Sequence, residues 1–146
     1  MSNRTGIPFF DGDDFHSPEK VEKMRKGQAL NDADRAEWLT RMNKIAKEQM
    51  TSKGAIIACS ALKEKYRKTL SSGITGPWFW VFLRGDFETI EKRMALRKDH
   101  FMPTALLTSQ FETLEIPKGA ITIDIYDEPD KIVDRIISRL GLFSWK

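Results

Sequence analysis

Continuously apolar short runs that end in polar residues constrain this chain more than any other feature. Residues 55–59 read Ala55-Ile56-Ile57-Ala58-Cys59, with Ser60 next, and residues 78–83 read Trp78-Phe79-Trp80-Val81-Phe82-Leu83. Runs of this length without polar alternation suit strands covered on both faces, the pattern of parallel sheets. Between and around them the apolar spacing is helical. Trp38, Leu39, Met42, Ile45, Ala46 and Met50 form one face of a helix opened by Asn31 or Asp32, and Gly54 closes it. Ser17-Pro18 opens an earlier helix that runs to about Gly27, after a short strand over Ile7–Asp11. Further helices are expected over Lys63–Leu70, after Asp86, from Pro103 to Phe111 and from Pro129 or Asp130, with a last strand over Ile121–Ile125. The order β-α-α-β-α-β-α-α-β-α predicts an α/β fold with a parallel sheet and right-handed crossovers.

At 146 residues the chain reads as one domain with room for a real core. Its 24 basic and 21 acidic residues are mixed along the sequence, so a net charge of +3 marks no nucleic-acid stripe. No apolar run approaches the ~20 residues of a membrane span, and Met1–Gly6 has no signal-peptide core. Cys59 is the single cysteine, so no internal disulfide forms. A cytoplasmic location is the expectation.

In open parallel sheets, ligands bind at the carboxyl ends of the strands. Asp11, Asp13 and Asp14 end the first strand, with His16 just beyond. Carboxylates in that position hold Mg²⁺ through water, accept hydrogen bonds from a polyol or act as a base; a solvated turn is the plainer alternative. His16 reads as a hydrogen-bonding or capping residue rather than a metal ligand. After the second strand come Ser60 and Lys63, with Arg67 a helical turn further on. A hydroxyl and two cations suit an anionic substrate, and an N-cap serine beside two exposed cations is the alternative. Arg93 and Arg97 share a helix face ahead of Lys98 and His100, and arginine meets phosphate oxygens bidentately. A solvated helix face is the plain reading there.

Taken together these segments resemble the gluconokinase family of small P-loop kinases. Asp11-Gly12-Asp13 with His16 resembles the family's D-G-D-x-x-H. Lys23-Met24, Gly27, Leu30, Asp32, Asp34-Arg35 and Trp38-Leu39 resemble its K-M-x-x-G-x-P-L-x-D-x-D-R-x-P-W-L run. Cys59-Ser60-Ala61-Leu62-Lys63 with Tyr66-Arg67 resembles C-S-A-L-K-x-x-Y-R. Arg93, Arg97, His100-Phe101, Ser109–Glu115 and Pro117 resemble the lid and the segment after it. Lys20, Ala29 and Glu37 depart from the pattern, standing where asparagine, proline and proline are expected.

The resemblance implies a three-layer parallel sheet with helices on both faces and strand order 2-3-1-4-5. It implies transfer of the γ-phosphoryl group of ATP to D-gluconate, with Mg²⁺. Asp13 would orient or deprotonate the attacking hydroxyl, and Asp11 would assist Mg²⁺ through water. His16, Ser60, Lys63 and Arg67 would hold the sugar acid, while Arg93 and Arg97 would meet the nucleotide phosphates. The expected partner is the small-molecule substrate alone, without nucleic acid or membrane, and a homodimer is compatible with it. One departure is larger. No two of the nine glycines stand five apart, so G-x-x-x-x-G-K-[ST] does not occur. Residues 1–146 are therefore expected to be a single truncated domain without the family's first, central strand, with impaired turnover. A non-catalytic truncated isoform or pseudokinase that binds a partner is the alternative. A related kinase for shikimate or nucleotides is disfavoured by the C-S-A-L-K-x-x-Y-R run.

Overall fold

The computed structural model describes residues 1–97 and 103–141. The chain runs α1 (Ser2–Thr5), β1 (Phe9–Asp11), a 3₁₀ turn (Gly12–Phe15), α2 (Pro18–Arg25), α3 (Asp32–Met50), β2 (Ile56–Ala58), α4 (Glu64–Ser71), β3 (Val81–Arg84), α5 (Phe87–Ala95), α6 (Thr104–Thr113), β4 (Ile121–Asp124) and α7 (Pro129–Leu140). Local chemistry starts these helices where the sequence predicts. The Ser17 side chain accepts from the Lys20 amide ahead of α2. Asn31 and Asp34 form a reciprocal capping box at the start of α3. The Asp86 side chain accepts from the Thr89 amide, at 2.7 Å, to open α5.

β1 pairs in parallel with β2, Phe9 opposite Ile56 and Asp11 opposite Ala58. β3 pairs in parallel with β4, Val81 opposite Ile121 and Arg84 opposite Asp124. Among the described residues no ladder joins β2 to β3, so the strands form two separate pairs. These are the two outer pairs of the expected order.

One element differs from its expectation. The run Trp78–Leu83 is a strand only from Val81 onward. Trp78 and Trp80 instead lie edge to face, with ring centroids 5.2 Å apart, against the cluster formed by α3 and α4, while Phe79 is exposed. Burial of two indoles against the helices competes with extension of the ladder, and the ladder begins only where Ile121 can pair.

The main core lies between β2, α3 and α4. Trp38, Leu39, Met42, Leu62, Tyr66 and Leu70 are buried there, and Phe15, Ile57, Cys59, Trp78, Trp80 and Leu114 pack around them. Met42 is sealed at 1% exposure. Glu115 ties this half to the other. Its amide donates to the Leu62 carbonyl at 2.7 Å, its carboxylate accepts from the Glu64 amide at 2.9 Å, and its carbonyl accepts from Arg67 Nη2 at 2.8 Å.

Arg67 is buried, and its Nη1 also donates to the Ala61 carbonyl, at 2.7 Å. Arg67→Ala removes a donor from two carbonyls at once. At roughly 1–3 kcal/mol for each polar group left unpaired, the urea midpoint should fall clearly. Arg67→Lys should recover only part of the loss, because one ammonium cannot span both acceptors. An unchanged midpoint in Arg67→Ala would show that this seam does not hold the halves together.

Candidate active site

The register of β1 and β2 sets Asp11 beside Ala58, so the carboxyl ends of both strands finish together. Asp11 turns its carboxylate back to accept the Asp13 amide at 3.0 Å, and this bond starts the 3₁₀ turn. That turn is tight against the core. A Cβ on Gly12 would lie 2.8 Å from the Ala58 carbonyl oxygen and 3.0 Å from Met42 Sδ, so only glycine fits there without displacement. The Gly12 carbonyl accepts from Trp38 Nε1 at 2.7 Å, a bond between β1's end and α3. Asp13 and Asp14 are exposed on the turn. The charge of Asp13 is felt at Cys59, whose thiol is pushed up to about 11, chiefly by burial and further by Asp13. A Cβ on Gly12 would lie 3.0 Å from Cys59 Cβ, so the turn that bears Asp13 lies against the start of the loop that leaves β2.

That loop carries Ser60, half-buried, with its carbonyl accepting from the Leu62 amide at 2.9 Å. The N-cap of α4 is Lys63, without a side-chain cap bond, so Ser60 is not the capping serine that its spacing allowed. Lys63 Nζ lies 3.6 Å from Asp32 and 5.8 Å from the centre of the Tyr66 ring. Asp32 also accepts from Lys65 and from the Tyr66 hydroxyl; these hydrogen bonds bring its carboxyl down to about 2. Arg67, grouped with Ser60 and Lys63 by spacing, has both Nη atoms on backbone carbonyls.

His16 closes the turn and stacks on Trp38, centroids 4.4 Å apart at 17°. Its Nδ1 is buried with no hydrogen-bond partner among the described residues. Burial first, then the charge of Arg35, brings its pKa down to about 4, so the ring is neutral near pH 7. Arg93 is exposed in the last turn of α5, and Arg97, also exposed, lies beyond the helix's C-cap Leu96, so the expected shared helix face does not form; both are on the half of the molecule that carries β3 and β4. Lys98, His100 and Phe101 lie outside the described residues. A surface concavity lies elsewhere, along α2, and two of its cations, Lys20 and Lys23, are paired with Asp34, at 2.8 and 2.6 Å.

The structure thus gathers Asp11, Asp13, His16, Ser60 and Lys63 around the ends of β1 and β2. It adds neighbours that spacing did not single out as site residues: Asp32, Arg35, Trp38 and Tyr66. The signal for Asp32, Arg35 and Trp38 lay in the Asp32–Leu39 run and that for Tyr66 in the Cys59–Arg67 run, but an arginine in a helix's first turn is ordinarily solvated, and nothing in its spacing announces burial.

The chain is similar to known kinases along most of its length. A family model described as shikimate kinase matches residues 1–140. The thermoresistant gluconokinase of Escherichia coli K12 is 46% identical over 126 residues, covering 86% of this chain and 71% of the relative. The gluconokinase of Gluconobacter oxydans is 38% identical over 141 residues, covering 94% of this chain and 79% of the relative. A crystal structure of a sugar kinase from Janibacter superimposes with a TM-score of 0.88 at 35% identity, covering 97% of this chain and 84% of that one.

The low pKa of His16 makes stability depend on pH. Between about pH 6.5 and 4 the unfolded chain binds a proton at this residue that the folded chain refuses. Unfolding free energy should therefore fall as pH drops through that window and gain no further contribution from His16 below it. His16→Phe keeps a ring on Trp38 and removes the titration. Urea unfolding of both proteins across the range should show the parent losing stability relative to His16→Phe as pH falls from about 6.5 to 4; a constant difference would contradict the shift.

Proposed function

The chain belongs to the gluconokinase family, and from that premise we propose that its reaction is transfer of the γ-phosphoryl group of ATP to the terminal hydroxyl of D-gluconate. The observation that carries this reading is the position of Asp13. It is exposed at the carboxyl end of β1, on a turn that Gly12 and Trp38 lock, beside the loop that bears Ser60.

Phosphoryl transfer asks a protein mainly for positioning and charge neutralisation. Asp13 orients the attacking hydroxyl and accepts its proton. Ser60 and Lys63 hold the sugar acid, with the neutral His16 as a further hydrogen-bonding group. Arg67 acts on the sugar acid through the loop it grips, since its donors hold Ala61 and Glu115. Arg93 and Arg97 meet the nucleotide phosphates from the end of α5. Among the described residues no three of His, Cys, Asp and Glu gather as a metal cage. The hard carboxylate oxygens at the end of β1 would suit a Mg²⁺ ion, which Asp11 would help to hold through water. When bound, that ion supplies neutralisation of phosphate charge. The reading takes residues 1–146 as one domain acting in the cytoplasm; among the described residues no helix is long and apolar enough to cross a membrane.

The lack of a G-x-x-x-x-G-K-[ST] run in these 146 residues favours impaired turnover. Backbone amides and a lysine of such a loop hold the β- and γ-phosphates. A non-catalytic binding role is the second reading, and it rests on the same observation. A coupled assay of ADP release with gluconate and Mg-ATP separates the two. The 146-residue chain should turn over far below ~10 s⁻¹, the median for enzymes. In a version preceded by a phosphate-binding loop, Asp13→Asn should lower kcat by at least ~10²-fold. Most of kcat surviving that substitution would reduce Asp13 to a turn residue.

A further inference from the structure

Two side chains of α3 reach the turn that carries Asp13, and they take opposite ends of it. Trp38 Nε1 donates to the Gly12 carbonyl at 2.7 Å, and Arg41 Nη1 donates to the Phe15 carbonyl at 2.9 Å. Gly12 and Phe15 are the first and last residues of the 3₁₀ turn. Residues three apart on an α-helix share a face and stand about 4.5 Å apart along its axis. Residues three apart in a 3₁₀ turn are separated by about 6 Å. One face of α3 therefore meets both ends of the turn, with Asp13 and Asp14 between them.

The two contacts differ in kind. Trp38 is buried, whereas Arg41 lies at the surface. A surface arginine paired with a glutamate one helical turn away is ordinarily a solvated pair of little consequence. Here the guanidinium divides its donors. Nη2 donates to Glu37, one turn back on α3, and Nη1 is aimed at Phe15, 26 residues away in sequence. The last carbonyls of a helical turn have no partner within it, and Arg41 supplies one. The same peptide bond leads into His16, whose ring lies on Trp38. Glu37 stands where the family pattern has proline, and a proline would bring no carboxylate to orient Arg41.

We propose that Arg41 is a positioning residue for Asp13, oriented by Glu37 and acting through the Phe15 carbonyl. Held by Trp38 alone, the turn has one fixed point and swings about it. Held by Arg41 as well, it is fixed at both ends, and the Asp13 carboxylate keeps one direction. That direction matters because a base must lie within hydrogen-bond reach of the hydroxyl it serves. A misplacement of about 1 Å costs on the order of 10²-fold in rate. The inference rests on the gluconate reading above and goes beyond it, since Arg41 acts without touching the substrate.

The test compares the parent chain with Arg41→Ala and Arg41→Lys. Amide hydrogen exchange without ligand reads the turn itself. In Arg41→Ala the Asp13 amide should exchange roughly threefold or more faster, while the amides of β2 and the melting temperature stay as in the parent. Calorimetric binding of D-gluconate and of 6-deoxy-D-gluconate, which lacks the terminal hydroxyl, reads the Asp13 carboxylate. The parent should prefer D-gluconate by roughly tenfold, as a hydrogen bond to a charged group allows. Arg41→Ala should lose most of that preference and bind the 6-deoxy acid as the parent does. Arg41→Lys keeps a charged donor but has no second nitrogen for Glu37, and it should restore part of the preference. A preference as large in Arg41→Ala as in the parent overturns the proposal, and so does unchanged exchange at the Asp13 amide. Equal loss of affinity for both acids would make Arg41 a substrate contact or a purely structural residue and overturn it too. A parent that binds neither acid, or both alike, removes the gluconate reading, and this inference with it.

Discussion

Among the described residues four strands stand in two parallel pairs with no ladder between the pairs, and Glu115 supplies hydrogen bonds that tie one half to the other. Its amide, carbonyl and carboxylate are all used across the divide, on Leu62, Arg67 and Glu64. The residue lies just beyond α6, so these bonds set the half containing α6 against the α4 end of the other half. Leu114, Trp78 and Trp80 add apolar contact beside them. The buried guanidinium of Arg67 bridges the seam, because each of its two Nη atoms meets a carbonyl on a different segment. The loop between β2 and α4 is held by that same side chain, so the position of Ser60 and Lys63 depends on it.

The other constraint is at the end of β1. Gly12 touches the β2 backbone too closely for any side chain, and the Trp38 indole bonds its carbonyl. The turn bearing Asp13 therefore has little freedom, as a positioning site requires. His16 covers the indole and stays neutral there through burial and the charge of Arg35. Asp13 thus stands on a fixed turn, and two cations, Arg35 and Lys63, lie over the Tyr66 ring. The electrostatics are lopsided. The acidic groups of the α3 start are quenched by lysines, whereas Arg35 is left with an aromatic face.

Much of this was readable along the chain. The helix starts were legible because capping is local: Ser17, Asn31 and Asp86 each bond an amide three residues on. β2 and β4 appeared where short apolar runs stood between helices. The start of β3 did not, because Trp78–Trp80 is as apolar as a strand demands, yet the strand begins only at Val81, with the Trp80 carbonyl accepting from the Ile121 amide just ahead of it. The cluster of Asp11, Asp13, Ser60 and Lys63 followed from a general property of parallel sheets, that strand ends converge at one edge. The functions open to Arg67 narrowed only when its acceptors, one of them 48 residues away, came into place.

By itself the sequence determined the alternation of strands and helices, the family, and the polar groups at the strand ends, because periodicity, capping and motif spacing are properties of neighbouring residues. The tertiary structure decided what each charged group faces. Arg35 and Arg67 are both arginines near the start of a helix, and nothing in their spacing tells them apart. One is matched by backbone carbonyls and ties the molecule together; the other is buried against Tyr66 with its Nη1 unmatched. That difference depends on which segments, distant along the chain, come within about 3 Å of a hydrogen-bond donor, and only the folded chain sets those distances.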